Sequence, residues 1–569
     1  MSKENKIVLL TVALYFLLIS HVWFPSIGIT GLGIQQNNLS WLWVVAVCCL
    51  SFFLISTRGL KIPCFWKWGS IALACSLLPF VIIHDFAIFR SGLLLVAGYL
   101  TIWIFILALY QFDALKGEAN KLILIILGAV FIQVIWGAYE IISASVINYQ
   151  SGQLLIEPTP LGVFNQRNAF ASFVATGIVL SFYYILSPFK EVRYTKVTYA
   201  IFFVFVFLAS FTVAYTVSRA GIIGLIIGVA LLIPLILSKK QFGVAIGVVL
   251  VILASVSADY ISGLAGNIDK QIVHGGPRVG YYLTSVMAIF EKPILGHGLG
   301  SFEHVFLEKF AELYDAGKIP VDNDYHGNLV HPHNELLLWG IQGGLITIVS
   351  LLALVFILAK ALWTRLTYFL ASISLFVPIL VHSMFEMPFY QSTLHLIVLG
   401  VLFVIAYKQV ATLKQEESKD KEFSLKGLSS ALRMASVIFF VFFLAVFTLN
   451  ILSLNKAKEF VYDEQDLQTI ESVYIKFGWP DTYNYFYKAS LSRFGRSTGN
   501  TFFCNDYINW AEKVLEVSPR LDYYRDLALA YECIGEYERA RETALRLKYY
   551  YPTHRKTQDW VNGYLGDNL

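Results

Sequence analysis

The chain has 569 residues, 57% hydrophobic and 14% charged. A soluble domain carries about a quarter charged residues, so a soluble globular protein is excluded. A formal net charge of +4 is small and says nothing about nucleic acid, and no nucleic-acid partner is expected.

The apolar residues come in runs of about twenty, each long enough to cross ~30 Å of hydrocarbon as a helix. In chain order they fall near 7–23, 41–56, 68–83, 92–110, 122–143, 169–186, 197–215, 220–236, 242–256, 335–358, 366–382, 392–407 and 435–454. The expected architecture is an all-α polytopic membrane protein of about thirteen transmembrane helices. The first run follows Asn5 and Lys6 with no small-residue cleavage pattern after it, so it is expected to stay as a span.

Lysine and arginine collect in cytoplasmic loops, and this fixes the expected orientation. Lys3 and Lys6 put the N-terminus inside. Alternate connections carry Arg58, Lys61 and Lys67, then Lys116 and Lys121, then Lys190, Arg193 and Lys196, then Lys239 and Lys240, then Lys360 and Arg365, then the run 408–433. The opposite short connections are nearly free of positive charge, and 24–40 has none. A membrane domain over 1–454 therefore presents a large periplasmic loop at 258–333, and a tail at 455–569 lies outside as well.

The loop contains "GPRVGYYLTSVMAIFEKPILGHGLGSF", an amphipathic helix followed by a Gly-rich turn. Val279, Leu283, Val286, Ile289 and Phe290 recur at helical spacing and suit an interfacial helix. The tail is aromatic and of mixed charge. Ala511, Leu527, Ala528, Ala530, Tyr531, Gly535, Tyr537, Ala540, Ala544 and Pro552 follow a tetratricopeptide-like (TPR-like) pattern of helix pairs. Such a pair must bury its apolar face on other tail helices or on the outer loop. It is either a small helical cap or a docking surface for a protein. Cys504 and Cys533 would both lie outside, where a disulfide persists.

Three arginines depart from the positive-inside pattern: Arg167 in "FNQRNAF", Arg219 in "SRAG" and Arg278 in "GPRVG". Each alone could snorkel from a helix end. Together on one face they offer rigid forks of donors suited to phosphate oxygens. Gln166 and Asn168 flank Arg167, and the residue type at 168 suits a helix cap.

"HPHNELLLWGIQGG", residues 331–344, places His331, His333, Asn334 and Glu335 at the head of an apolar run. Pro332 suits a first helical turn, which would then include His333 and Asn334. The helix field there disfavours imidazolium and keeps His333 a proton acceptor, while the exposed N–H groups attract anions. Otherwise both histidines simply line a mouth. "HSMFEMPFY" puts His382 and Glu386 four residues apart on one face, with Pro388 ending the helix and Tyr390 beyond. Glu386 either meets substrate or pairs with an arginine. A metal site from His326, His331, His333, Asp322 and Asp324 matches no closed zinc spacing.

"GVFNQRNAFASF", "SRAG", "GPRVGYY…PILGHGLGSF", "HPHNELLLWGIQGG" and "HSMFEMPFY" occur in the order seen in bacterial O-oligosaccharyltransferases of the PglL type. The chain resembles that group, within the superfamily of O-antigen ligases and Wzy polymerases, from about the fifth span to the twelfth. The resemblance implies a C-type glycosyltransferase fold (GT-C) in the bacterial inner membrane. The donor would be an oligosaccharide on undecaprenyl diphosphate. The acceptor would be a serine or threonine hydroxyl of an exported protein, a type IV pilin-like one included. No cofactor and no metal are implied. His333 matches the family's catalytic histidine, with His331 the alternative one position-pair away. Gln166 and Tyr390 match polar positions of the family's site. Arg219 and Arg278, with Arg167 nearby, are the expected diphosphate clamp. Asn168, His331, Asn334, Glu335, His382 and Glu386 are the further expected substrate contacts.

Rival readings are an O-antigen ligase acting on lipid A-core, a Wzy polymerase and, from another class, a lipid-linked glycan flippase. Secondary transporters tend to show two matching halves with polar groups near mid-membrane. No such repeat occurs here, and the polar groups cluster at one face.

Overall fold

The computed structural model describes residues 2–567 apart from 84–85, 152–158, 190–193, 265–277, 320–327, 416–419 and 463–465. Ten described helices are long and apolar enough to cross a membrane: Lys3–His21, Gln35–Arg58, Gly92–Tyr110, Ala119–Asn148, Arg167–Leu186, Lys196–Tyr215, Arg219–Ser238, Glu335–Ala361, Thr393–Lys414 and Ser429–Tyr462. Leu366–Ser374 and Val377–Ser383 pass that test only together, bent by 56°. Trp66–Ile82 and Phe242–Ala258 are shorter apolar helices. The sequence leads to about thirteen spans, whereas the described residues contain ten full-length helices, or eleven spans if the broken pair is one, and the two short helices fall below that length. The break has a plain cause: Pro378 opens the second helix of the pair, where its missing N–H and fixed φ end the preceding one.

The chain forms two compact units. The first comprises Met1–Ser70, Gly98–Asp269 and Val355–Thr448; the second Ile71–Ala97, Lys270–Leu354 and Leu449–Leu569.

In the first unit the Arg167–Leu186 helix is almost wholly enclosed, with every residue from Ala169 to Tyr183 buried. It packs against Ala119–Ser151, Lys196–Tyr215, Arg219–Ala230 and Val377–Ser383. Without a hydrophobic drive inside lipid, helices associate through close backbone approach at small residues. Gly221 faces the Ala171 methyl so closely that a Cβ there would lie 2.5 Å from it, and Gly224 meets Pro378 Cα in the same way at 2.8 Å. An antiparallel pair of short strands, Leu60–Ile62 with Lys421–Phe423, ties two connections of this unit together. Beside it the Tyr110 hydroxyl bonds the Asp420 carboxylate.

In the second unit the tail folds as consecutive helices, Pro480–Thr498, Thr501–Leu515, Leu521–Cys533, Tyr537–Tyr550 and Arg555–Asp567, each packed on the next. Ala511, Leu527, Ala528, Ala530, Tyr531, Ala540 and Ala544 are buried, whereas Tyr537 is exposed. Cys504 and Cys533 are joined by a disulfide, Cα to Cα 6.3 Å. The tail starts from a fixed base: Trp479 Nε1 donates to Asn450 Oδ1 at 2.9 Å, and Ile475 N to Ser453 Oγ at 3.0 Å. It also docks on the long loop before Glu335, because Tyr537–Tyr550 packs on Phe302–Asp315 and Arg520 pairs with Glu303.

The amphipathic helix of the loop is Arg278–Glu291. Its small and polar face, Gly280, Tyr281, Thr284, Ser285 and Ala288, is the buried one. The apolar stripe of Val279, Leu283, Val286 and Phe290 is left exposed.

Candidate functional site

Arg167 and Arg219 are each the first residue of a helix in the first unit. The Ser218 hydroxyl accepts from Gly221 N at 3.1 Å, capping the Arg219 helix, and donates to Asn168 Oδ1 at 2.7 Å. That one hydroxyl therefore sets two helix starts, and their arginines, side by side. Each start carries roughly half a positive charge and N–H groups with no helical partner. Two adjacent helix starts, each opening on an arginine, have the composition of an anion-attracting corner. Asn168 is not the cap that its residue type suggested; Gln166 occupies the cap position, without a side-chain cap bond. Asn168 is instead turned sideways to the neighbouring helix.

The approach to each arginine is fixed from behind. Glu140 Oε2 accepts from Leu161 N at 2.8 Å and Gly162 N at 2.9 Å. Two turns earlier on the same helix, Gln133 Oε1 accepts from Val163 N at 3.1 Å. Asn165 then takes a left-handed φ of 51° and accepts from Trp23 Nε1 at 2.8 Å. Before Arg219, Val217 has φ 53°, and the Thr216 hydroxyl accepts from Ser218 N at 3.1 Å. A β-branched residue in that region is held there at a cost of order 1–3 kcal/mol.

His382 and Glu386 belong to the same unit, and both are buried. Glu386 N donates to His382 O at 2.9 Å, so Glu386 stands one helical turn beyond His382. Below them the Ser172 hydroxyl lies 2.8 Å from His382 Nδ1 and 3.0 Å from His395 Nε2. His395 Nε2 also lies 3.2 Å from Ala169 O, an acceptor only, so that nitrogen carries a proton. Ser172 is on the Arg167 helix and His395 is three residues past the Ser392 that ends the Tyr390 turn. Tyr390 is in turn pinned by Asn37, whose amide donates to Tyr390 O at 3.3 Å and accepts from Thr393 N at 2.8 Å.

In the second unit the expected first turn at Pro332 is corrected. The helix begins at Glu335, and Asn334 caps it by accepting from Leu337 N at 3.0 Å. Asparagine at a cap satisfies an orphan donor, and that outweighs the preference of Pro332 for a first turn. His333 is therefore outside the helix, in a left-handed conformation with φ 57°. His331 is buried and accepts from His333 N through Nδ1 at 2.9 Å. Its ring proton is consequently on Nε2, 3.6 Å from Glu335 Oε1. Glu335 Oε2 accepts from Trp339 Nε1 at 3.2 Å. Of the two histidines, His331 supports the turn and half-buried His333 is the one presented. The Tyr281 ring lies nearly parallel to the His333 imidazole, centroids 6.1 Å apart, and the Tyr282 hydroxyl donates to His333 O at 3.3 Å. Arg278 precedes those tyrosines by one turn on the same helix.

Those two helices are cross-braced by glycines. Gly344 interrupts Glu335–Ala361 with φ 63° and ψ −162°. The carbonyls of Ile341 and Gln342 there accept from His297 N at 2.8 Å and Gly298 N at 2.9 Å, and Leu345 N donates to Pro293 O at 2.8 Å. The Gln342 side chain accepts from Gly300 N at 2.6 Å. A Cβ on Gly296 would lie 2.5 Å from Gln342 backbone, and one on Gly344 would lie 2.4 Å from Ile294 O. His297 Nε2 closes the brace onto Ala288 O at 2.9 Å, on the Arg278 helix.

The structure thus gathers Gln166, Arg167, Asn168, Arg219, His382, Glu386 and Tyr390 in one unit, and Arg278, His331, His333, Asn334 and Glu335 in the other. Ser172, His395, Gln342, Gly344 and Glu140 escaped the sequence reading. A lone histidine in the apolar run "STLHLIVLG" and a Gly-Gly pair inside a long apolar helix were the available signals. Asp322, Asp324 and His326 lie outside the described residues. Among the described residues no three His, Cys, Asp or Glu side chains gather to hold a metal.

Fold and site together define a multi-pass membrane protein that is mostly helical rather than all-α, since one short strand pair joins Leu60–Ile62 to Lys421–Phe423, with polar groups gathered at helix starts. Within that class, residues 204–352 match the family described as O-antigen ligase, and residues 370–562 match the family described as virulence factor membrane-bound polymerase, C-terminal. These matches support the O-antigen ligase and Wzy polymerase superfamily, and with it a glycan-transferring membrane enzyme. No curated protein matches the chain.

Proposed function

We propose that this chain transfers a preassembled glycan en bloc from undecaprenyl diphosphate to serine or threonine hydroxyls of exported proteins, pilin-like ones included. The reaction would take place at the periplasmic face of the inner membrane, with the N-terminus cytoplasmic and the tail periplasmic. The observation that carries the reading is the Asn168–Ser218 bond, which pairs two arginine-bearing helix starts.

Arg167 and Arg219, with Arg278, would stabilise the diphosphate as its charge develops on departure. His333 would take the proton of the acceptor hydroxyl as its oxygen attacks the anomeric carbon. The new carbon–oxygen bond forms as the bond to the diphosphate breaks, and attack from the opposite face inverts the centre. Gln166, Asn168, Asn334, Glu386 and Tyr390 would contact sugar or acceptor. The scheme uses no cofactor. The exposed stripe of Val279, Leu283, Val286 and Phe290 suits the membrane interface, and the disulfide suits an oxidising compartment.

The matched families favour a second reading, in which the same chemistry joins glycan to lipid A-core or to another glycan. The test is reconstitution with undecaprenyl-diphosphate glycan, a panel of exported proteins including a type IV pilin, and lipid A-core. A glycan-sized mass added to a protein, and lost in Arg219→Ala, is the expected result. Transfer to lipid A-core or glycan alone moves the chain to the second reading. Transfer to nothing overturns both.

A further inference from the structure

The turn at Ser518–Leu521 between two tail helices carries an unusual density of contacts to the outer loop. Arg520 Nη2 donates to Glu303 Oε1 at 3.1 Å and its Nε to Glu303 Oε2 at 3.2 Å, a two-pronged pair. The Ser518 hydroxyl donates to the same carboxylate at 2.5 Å. Leu521 N donates to Asn328 Oδ1 at 2.9 Å. The buried Tyr551 hydroxyl lies 3.0 Å from that same amide oxygen and 2.8 Å from Pro519 O, so it holds the turn and its target together. Burial disfavours the Arg520 charge, but Glu303 together with Tyr523 and Tyr551 outweighs it, so the guanidinium pKa is raised.

The two loop residues gripped in this way are not arbitrary. Glu303 is the second residue of Phe302–Asp315, which follows directly on the glycine brace ending at Ser301. Asn328 stands three residues before His331. His333 itself is on irregular backbone, in a left-handed conformation, and is fixed by side-chain bonds rather than by a helix ladder. Such a segment keeps its geometry only while its surroundings over-determine it.

We infer that the tail is a latch for the candidate catalytic segment: Arg520 on Glu303 and the Leu521–Tyr551 grip on Asn328 hold residues 328–334 in the conformation that presents His333. Asn328, Glu303 and Arg520 are positioning residues, acting through the backbone of that segment. The catalytic part of the inference rests on the proposed function; the conformational part does not.

Full-length protein in lipid vesicles, with Glu303→Arg, Arg520→Glu, both together, and Asn328→Ala, tests it. Amide exchange across 328–334 is expected to quicken roughly tenfold or more in each single variant while tail peptides over 480–567 keep their protection. The charge-reversed pair is expected to restore slow exchange. In the transfer assay the single variants should lose roughly tenfold or more in kcat with donor KM little changed, and the reversed pair should recover it. Unchanged exchange across 328–334 in the single variants overturns the latch, as does exchange that stays fast in the reversed pair with the tail protected. Quickened exchange in a chain whose wild type transfers nothing supports the latch and overturns the functional reading instead.

Discussion

Arg167 and Arg219 stand at the first residues of two regular helices, with one side-chain bond, Ser218 to Asn168, setting their register. His333 stands outside any helix, turned to φ 57° and held by His331, Tyr281 and Tyr282. The first arrangement draws its field from backbone dipoles that no single side chain supplies. The second depends on a short chain of individual contacts. Charge for a leaving group can come from a rigid scaffold, whereas aiming one imidazole requires irregular backbone and the braces that hold it.

This contrast can be broken or sharpened by experiment. The largest effect is expected from Gly344→Ala, which adds a Cβ 2.4 Å from Ile294 O at a positive φ. Loss of more than about 3 kcal/mol of stability is expected, seen as a collapsed melting transition in detergent. A wild-type transition would show that the brace is dispensable. Next, Arg219→Ala is expected to lower kcat/KM in the transfer assay by about 100-fold or more, while a melt close to wild type shows that the scaffold survives. Asn168→Ala removes the tie between helix starts together with the proposed substrate contact at that position. A loss of about 1 kcal/mol, or roughly fivefold in donor affinity, is expected with kcat nearly kept. A large fall in kcat with unchanged affinity would place Asn168 at the chemistry instead.

The smallest effect concerns pH. Burial lowers the His297 pKa below its ordinary 6.5, so the folded brace holds it neutral. The unfolded chain takes up a proton below about pH 6.5 that the folded one refuses. Stability is therefore full above that pH and falls as pH drops below it. Wild type is expected to lose more melting temperature between pH 7.5 and 5.5 than His297→Asn; an equal loss would assign the pH sensitivity elsewhere.

The helical membrane architecture was legible because an apolar run of about twenty residues has few other uses. The arginines at 167, 219 and 278 were legible as misplaced cations. Their pairing was not, since Asn168 and Ser218 are fifty residues apart and neither residue type announces the bond. His333 is legible as a polar residue heading an apolar run, but its conformation is not: Pro332 suggests a helix start, and the stronger cap, Asn334, moves that start three residues on. Ser172 and His395 were missed because each is a single polar residue in an apolar run, and only packing reveals that three helices bring them to His382.

The contact of Glu303 with Arg520 joins residues 217 positions apart. A ribosome adding about 5–20 residues each second exposes the first partner roughly ten to forty seconds before the second exists. During that interval the loop bearing His333 has been made but has nothing to latch onto. Completion of the last helices would then act as the signal that lets the loop set, and a chain cut short after its final span would be inserted yet left without a finished mouth.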